Sequence, residues 1–136
     1  MEKRMNKEVL IELINNLKVS NGEFWVLSTG ALVLRDAYPD AGDLDLAVTD
    51  AGFEELKQNY NLKRKENGWY IVNDKIEAVC VGKKEELKYQ PQKAGDYYVQ
   101  NIYEYREYLR STHREKDAGK LEIVEKIIEE LEIGER

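Results

Sequence analysis

Apolar residues fall at helical spacing near the start of the chain, where Val9, Leu10, Leu13, Ile14 and Leu17 make one stripe of residues 5–18. That pattern predicts an amphipathic helix, ended by Asn21-Gly22. The period then changes. Phe24 to Leu27 is an unbroken apolar run, as in a buried strand, and Ser28-Thr29-Gly30 reads as a small-residue turn. Ala31-Leu32-Val33-Leu34 opens a short helix, and turn formers from Asp36 to Gly42 lead to a second strand, Asp43 to Val48. Alternate side chains on a strand share a face. Leu44, Leu46 and Val48 therefore point to a core, and Asp43 and Asp45 stand together on the other side.

Thr49 or Asp50 caps a following helix with Phe53, Leu56 and Tyr60 on its apolar stripe. Three extended segments come next, Leu62 to Lys65, Trp69 to Val72 and Lys75 to Val81. Glu66-Asn67-Gly68 and Asn73-Asp74 are the hairpin turns between them. In the third segment Ile76, Ala78 and Cys80 share one face; Lys75, Glu77, Val79 and Val81 share the other. Residues 82–96 are polar, broken by Pro91 and Gly95, and read as a loop crossing the functional face. Helices return from Val99, with Ile102, Tyr105, Tyr108 and Leu109 on one stripe. Leu121, Val124, Ile127, Ile128 and Leu131 form another, in a helix ending near Ile133. Between them, Ser111 to Asp117 is a charged joint.

Composition narrows the classes. A chain of 136 residues with 42% hydrophobic and 10% aromatic content suits one globular domain, residues 1–136. A net charge of -6, from 27 acids and 21 bases, argues against a generic nucleic-acid coat but leaves room for a local basic patch. No apolar run reaches transmembrane length and Met1-Glu2-Lys3-Arg4 lacks a signal-peptide core, so a cytoplasmic protein off the membrane is expected. The single cysteine, Cys80, reads as a small buried hydrophobe rather than a nucleophile.

The chemistry concentrates at the two aspartates. Neighbouring carboxylates repel unless solvent or a cation screens them, and Mg²⁺ takes one or two carboxylates together with phosphate oxygens. The order strand, small-residue turn with Ser28-Thr29-Gly30-Ala31-Leu32, loop, then Asp43-Leu44-Asp45 on a second strand resembles the nucleotidyltransferase superfamily typified by DNA polymerase β. It is most similar to that superfamily's small single-domain members. The turn departs from the family's leading Gly-Gly or Gly-Ser, with Ser28-Thr29 standing in that place.

The resemblance covers about residues 23 to 130 and implies an α/β fold of the α+β type. In it a mixed sheet has helices on one face (core about 23–81), followed by C-terminal helices over about 99–133. It implies transfer of a nucleoside monophosphate from an NTP to a hydroxyl acceptor such as an antibiotic, a tRNA end or a protein side chain. Asp43 and Asp45 would hold two Mg²⁺ ions about 3.5–4 Å apart. Glu77 would match the third carboxylate that the family places on a later strand, as a ligand or a base. Ser28, Thr29 and Gly30 would meet the phosphates. Arg35, with Lys116 or Arg114 from a Arg114-Glu115-Lys116-Asp117 stretch like the family's own, would neutralise the triphosphate.

Plainer readings stand beside these. Asp-x-Asp is also a common surface strand edge, Glu77 an exposed hairpin acid, Ser28-Thr29 an N-cap pair, and His113 a solvated joint residue. The tyrosines from Tyr97 to Tyr108 read as packing groups. The rival functions are an antitoxin-like or other partner-binding protein that keeps the fold, and a nucleotide sensor without transfer activity.

Overall fold

The protein's structure, a computed structural model, describes residues 4–134. Strand β1 (Phe24–Val26) pairs antiparallel with β2 (Leu44–Val48), which occupies the centre of a seven-stranded mixed sheet. On one side of β2 lies β5 (Ile76–Cys80), parallel to it, followed by the short hairpin β3 (Lys63–Arg64) and β4 (Tyr70–Ile71). Beyond β1 lie β7 (Tyr97–Val99), parallel to it, and β6 (Gln92–Ala94) at the edge. The order is β3-β4-β5-β2-β1-β7-β6.

One sheet face is apolar across its central strands, with Arg64 and Gln92 on it only toward the edges. Phe24, Val26, Leu44, Leu46, Val48, Ile76, Ala78 and Val99 form a core with Leu10 and Ile14 of α1 (Lys7–Asn15). Ala31, Val33 and Leu34 of α2 (Ser28–Leu34) and Leu56 of α3 (Asp50–Asn59) join the same core. The opposite side of α2 presents Leu32 to a second core, built by α4 (Ile102–Thr112) and α5 (Lys120–Gly134) from Ile102, Tyr105, Leu109, Val124 and Ile128. Helix α2 is thus packed on both sides, against the sheet and against the C-terminal helix pair. The expected α+β architecture is present. No helix among the described residues is long and apolar enough to cross a membrane.

Four local expectations are corrected. Helix α2 begins at Ser28, so no separate turn precedes it; the change of direction is made by Ser28 alone, at φ 55. A side chain is strained there, and Gly is the residue that avoids the strain. The Ser28 N–H donates to Gln100 Oε1 at 2.9 Å, which secures the bend. Asp43 precedes β2 rather than belonging to it. The hairpin β3–β4 is only two residue pairs long. Residues 82–96 are not one loop: they contain a 3₁₀ turn (Lys84–Glu86) and strand β6, paired with β7 across Gly95-Asp96. A polar edge strand has no alternation to betray it, and Gly95 reads as a breaker although it makes a two-residue hairpin turn.

Ser28→Gly should raise stability by about 0.5–1 kcal/mol, because relief of the left-handed strain exceeds the added chain entropy. Urea unfolding reads the effect; a lower midpoint would mean that the serine contributes more than its backbone costs.

Gly30 is fixed by packing. A Cβ there would lie 2.8 Å from Val26 Cγ1, inside the joint between β1 and α2. Gly52 admits no side chain either, since its Cβ would sit 2.4 Å from the Glu23 carbonyl oxygen.

Candidate active site

The face of the sheet away from α1 and α3 carries a row set by register. Asp45 is the partner of Glu77, Glu77 of Ile71, and Ile71 of Lys63, so all four side chains project to one side. Asp45 and Glu77 lie on neighbouring parallel strands, about 4.8 Å apart along the backbone. They line a cleft of about 760 Å³, together with Asp43, Lys65 and Trp69 on this wall. The facing wall is the start of α2, with Ser28, Thr29 and Gly30, the joint before α5, with Arg114, Lys116 and Asp117, and Lys120 at the first position of α5. A smaller hollow of about 380 Å³ beside Asn6, Asp36 and Pro39 holds no comparable grouping.

Charge on the acidic wall is poorly solvated. Burial first, then repulsion from Asp43 and Glu77, pushes the Asp45 carboxyl up to about 6, against the pull of Lys116 and Lys65. Glu77 is held by Lys65, whose Nζ lies 2.7 Å from Glu77 Oε1.

The basic wall is tightly cross-linked. Asp117, 6% exposed at its side chain, accepts from Arg114 Nε at 2.9 Å and from Lys120 Nζ at 3.2 Å. Burial works to raise the Asp117 carboxyl, but these two hydrogen bonds outweigh it and hold the group below its ordinary range. Lys120 also donates to Thr29 Oγ1 at 2.8 Å and sits 5.4 Å above the Tyr38 ring. The Tyr105 hydroxyl is hydrogen-bonded to Thr29; burial, then the Asp117 charge, keeps it neutral far above the usual phenol range.

Of the residues expected from the sequence, the cleft gathers Asp43, Asp45, Glu77, Ser28, Thr29, Gly30, Lys116 and Arg114. Arg35 is not among them. It caps the far end of α2, about 10 Å along the axis from Ser28, and donates to Gln92 Oε1 at 2.8 Å in the joint with β6. Burial lowers its pKa, as befits a structural guanidinium. Cys80 is half-buried rather than buried, and burial raises its thiol, which disfavours a nucleophile. His113 is exposed at the left-handed C-cap of α4.

Sequence reasoning missed Lys65, Gln100, Asp117 and Lys120. Asp117 lies in the family-like Arg114 to Asp117 stretch without a role assigned to it, and Lys120 falls on the buried stripe of α5 with Val124 and Ile128 at four-residue spacing. A lysine on an apolar stripe is a buried charge in need of a partner.

Among the described residues, no group of three or more Asp, Glu, His or Cys side chains is drawn together as a metal cage. Asp43 and Asp45 suit a hard cation that keeps waters and phosphate oxygens as its other ligands. Glu77 does not join them while Lys65 holds it.

Comparison of the chain with protein-family models, with curated proteins and with solved structures gives no match.

Proposed function

We propose that this protein is a Mg²⁺-dependent nucleotidyltransferase of the cytoplasm, moving a nucleoside monophosphate from an NTP to a hydroxyl acceptor. The observation that carries the reading is the opposition of charges in one cleft. Asp43 and the strained carboxylate of Asp45 face Arg114, Lys116 and Lys120 across it. A divalent cation relieves the first wall and a triphosphate the second, and a metal–nucleotide complex brings both at once.

In the reaction the acceptor oxygen forms a bond to the α-phosphorus while the bond from that phosphorus to the pyrophosphate oxygen breaks, the electron pair leaving with pyrophosphate. The acceptor's proton passes to a carboxylate, for which Glu77, paired with Lys65, is placed on the acidic wall. Arg114 and Lys116 counter the charge of the departing pyrophosphate. Mg²⁺ held by Asp43 and Asp45 would supply charge neutralisation at the phosphoryl oxygens. Most of the rate gain then comes from positioning, which strand-borne groups do well.

A second reading has its own observation. The Ser28 N–H already donates to Gln100 Oε1, and Thr29 Oγ1 accepts from Lys120 Nζ, so one expected phosphate donor is engaged and the neighbouring hydroxyl is tied to the basic wall. That favours a protein which keeps the fold but binds a partner.

Isothermal titration with each NTP and Mg²⁺, followed by a pyrophosphate-release assay with RNA, aminoglycoside and protein acceptors, separates the two. Exposed Asp43 provides the control: Asp43→Asn should leave the circular dichroism unchanged and weaken Mg²⁺–NTP binding at least ~10-fold. No heat from wild type with any Mg²⁺–NTP would leave the partner-binding reading standing alone.

A further inference from the structure

We propose that the ammonium group of Lys65 takes the place of a second metal ion, so that the cleft works with one divalent cation, the one carried in with the nucleotide. This rests on the nucleotidyltransferase reading and narrows it.

The register puts Glu77 beside Asp45, which is where a cation bridging the two strands would have to sit. Lys65 Nζ lies 2.7 Å from Glu77 Oε1, with its side chain 37% exposed and that of Glu77 27%, so the carboxylate such a cation would need is already paired. Asp43, Asp45, Glu77 and Lys65 line the same cleft, so the ammonium shares one wall with all three acids. Its base is fixed as well. The Lys65 N–H donates to the Trp69 carbonyl at 2.7 Å and its own carbonyl accepts from Gly68 N–H at 3.1 Å, so the side chain leaves a closed hairpin turn.

A second Mg²⁺ on Glu77 would have to displace the Lys65 ammonium that already pairs with it. An ammonium cannot lower the pKa of an acceptor hydroxyl as a bound metal does. It can hold Glu77 in place as the base through the hydrogen bond between them. Lys65 is thus a positioning residue.

The test counts ions instead of turnover. Wild type, Lys65→Met and Lys65→Arg are titrated with Mn²⁺ in the presence of an α,β-methylene NTP analogue, and bound Mn²⁺ is measured by electron paramagnetic resonance. Circular dichroism checks each fold, and Lys65→Gln serves as a second neutral variant. One Mn²⁺ per chain is expected in wild type and in Lys65→Arg, and two in Lys65→Met and Lys65→Gln. Two ions in wild type, or one in both neutral variants, would overturn the proposal while leaving the nucleotidyltransferase reading intact. No Mn²⁺ bound with the analogue in wild type would overturn that reading, and this proposal with it.

Discussion

Asp45→Asn should melt higher than wild type in the ligand-free state and lower than wild type when Mg²⁺ and nucleotide are present. The first half follows from the carboxyl's environment. Its folded pKa of about 6 stands above the ordinary aspartate value, with burial as the main cause and Asp43 and Glu77 adding to it. The folded state therefore holds the Asp45 proton more tightly than the unfolded chain does. Keeping the group ionised at neutral pH costs folding free energy. The full shift corresponds to roughly 3 kcal/mol, and partial solvation of the cleft brings the expected gain on neutralisation to about 1–2 kcal/mol. For a domain of this size that is about 4–8 °C. The sign with pH is fixed by the same shift. The penalty is absent below about pH 4, grows as pH rises toward 6, and is complete above it, so the variant's advantage at pH 7.5 should vanish at pH 4. The second half follows from linkage. Ligand at about a hundred times its dissociation constant stabilises a binder by about 2.7 kcal/mol, and a variant that has lost the cation receives none of it. Melting curves at two pH values with and without Mg²⁺ and an NTP analogue read all four numbers. A ligand-free melting point at or below that of wild type would remove the repulsion argument, and a retained ligand shift would remove Asp45 from the cation site.

The two parts of the site differed in how well the sequence announced them. Asp45 could be placed because a strict two-residue period hides Leu44, Leu46 and Val48 and leaves the acid on the other face. Its pairing with Glu77 is a property of sheet order: Glu77 comes 32 residues later, and only the parallel register makes the two neighbours. Lys65 depends on that register again, reaching Glu77 from the turn of the adjoining hairpin. Arg35 misleads because nearness in sequence to Ser28 suggests nearness in space, whereas the intervening helix carries it to the opposite end. The layered fold was readable from the periods of 2 and 3.6. The short edge strands were not, because a two- or three-residue polar strand has no period to detect.

Asp117→Ala should destabilise the protein more than any other single change at the cleft, by about 3–5 kcal/mol. The reason is what the substitution leaves behind. Lys120, 9% exposed at its side chain, would keep its charge with only the Thr29 hydroxyl as acceptor, and Arg114 would lose the carboxylate that orients it. Desolvation of an ammonium is affordable only with a paired counter-charge. Removing both charges should therefore be milder than removing one. The double variant Asp117→Leu with Lys120→Met should recover at least half of the loss, since two apolar side chains can extend the Val124–Ile128 stripe between α4 and α5. The pH response runs opposite to that of Asp45. The Asp117 carboxyl is held below its ordinary value by Arg114 and Lys120 despite its burial, so it contributes stability above the unfolded value, near pH 4, and loses it as pH falls further. Acid titration of wild type should then show a stability maximum between about pH 4 and 6, where Asp45 has taken up its proton and Asp117 has not. Guanidinium unfolding of the single and double variants tests the coupling. A loss below about 1 kcal/mol for Asp117→Ala, or additive losses in the double variant, would mean that the strut between α5 and the start of α2 does not hold the basic wall in place.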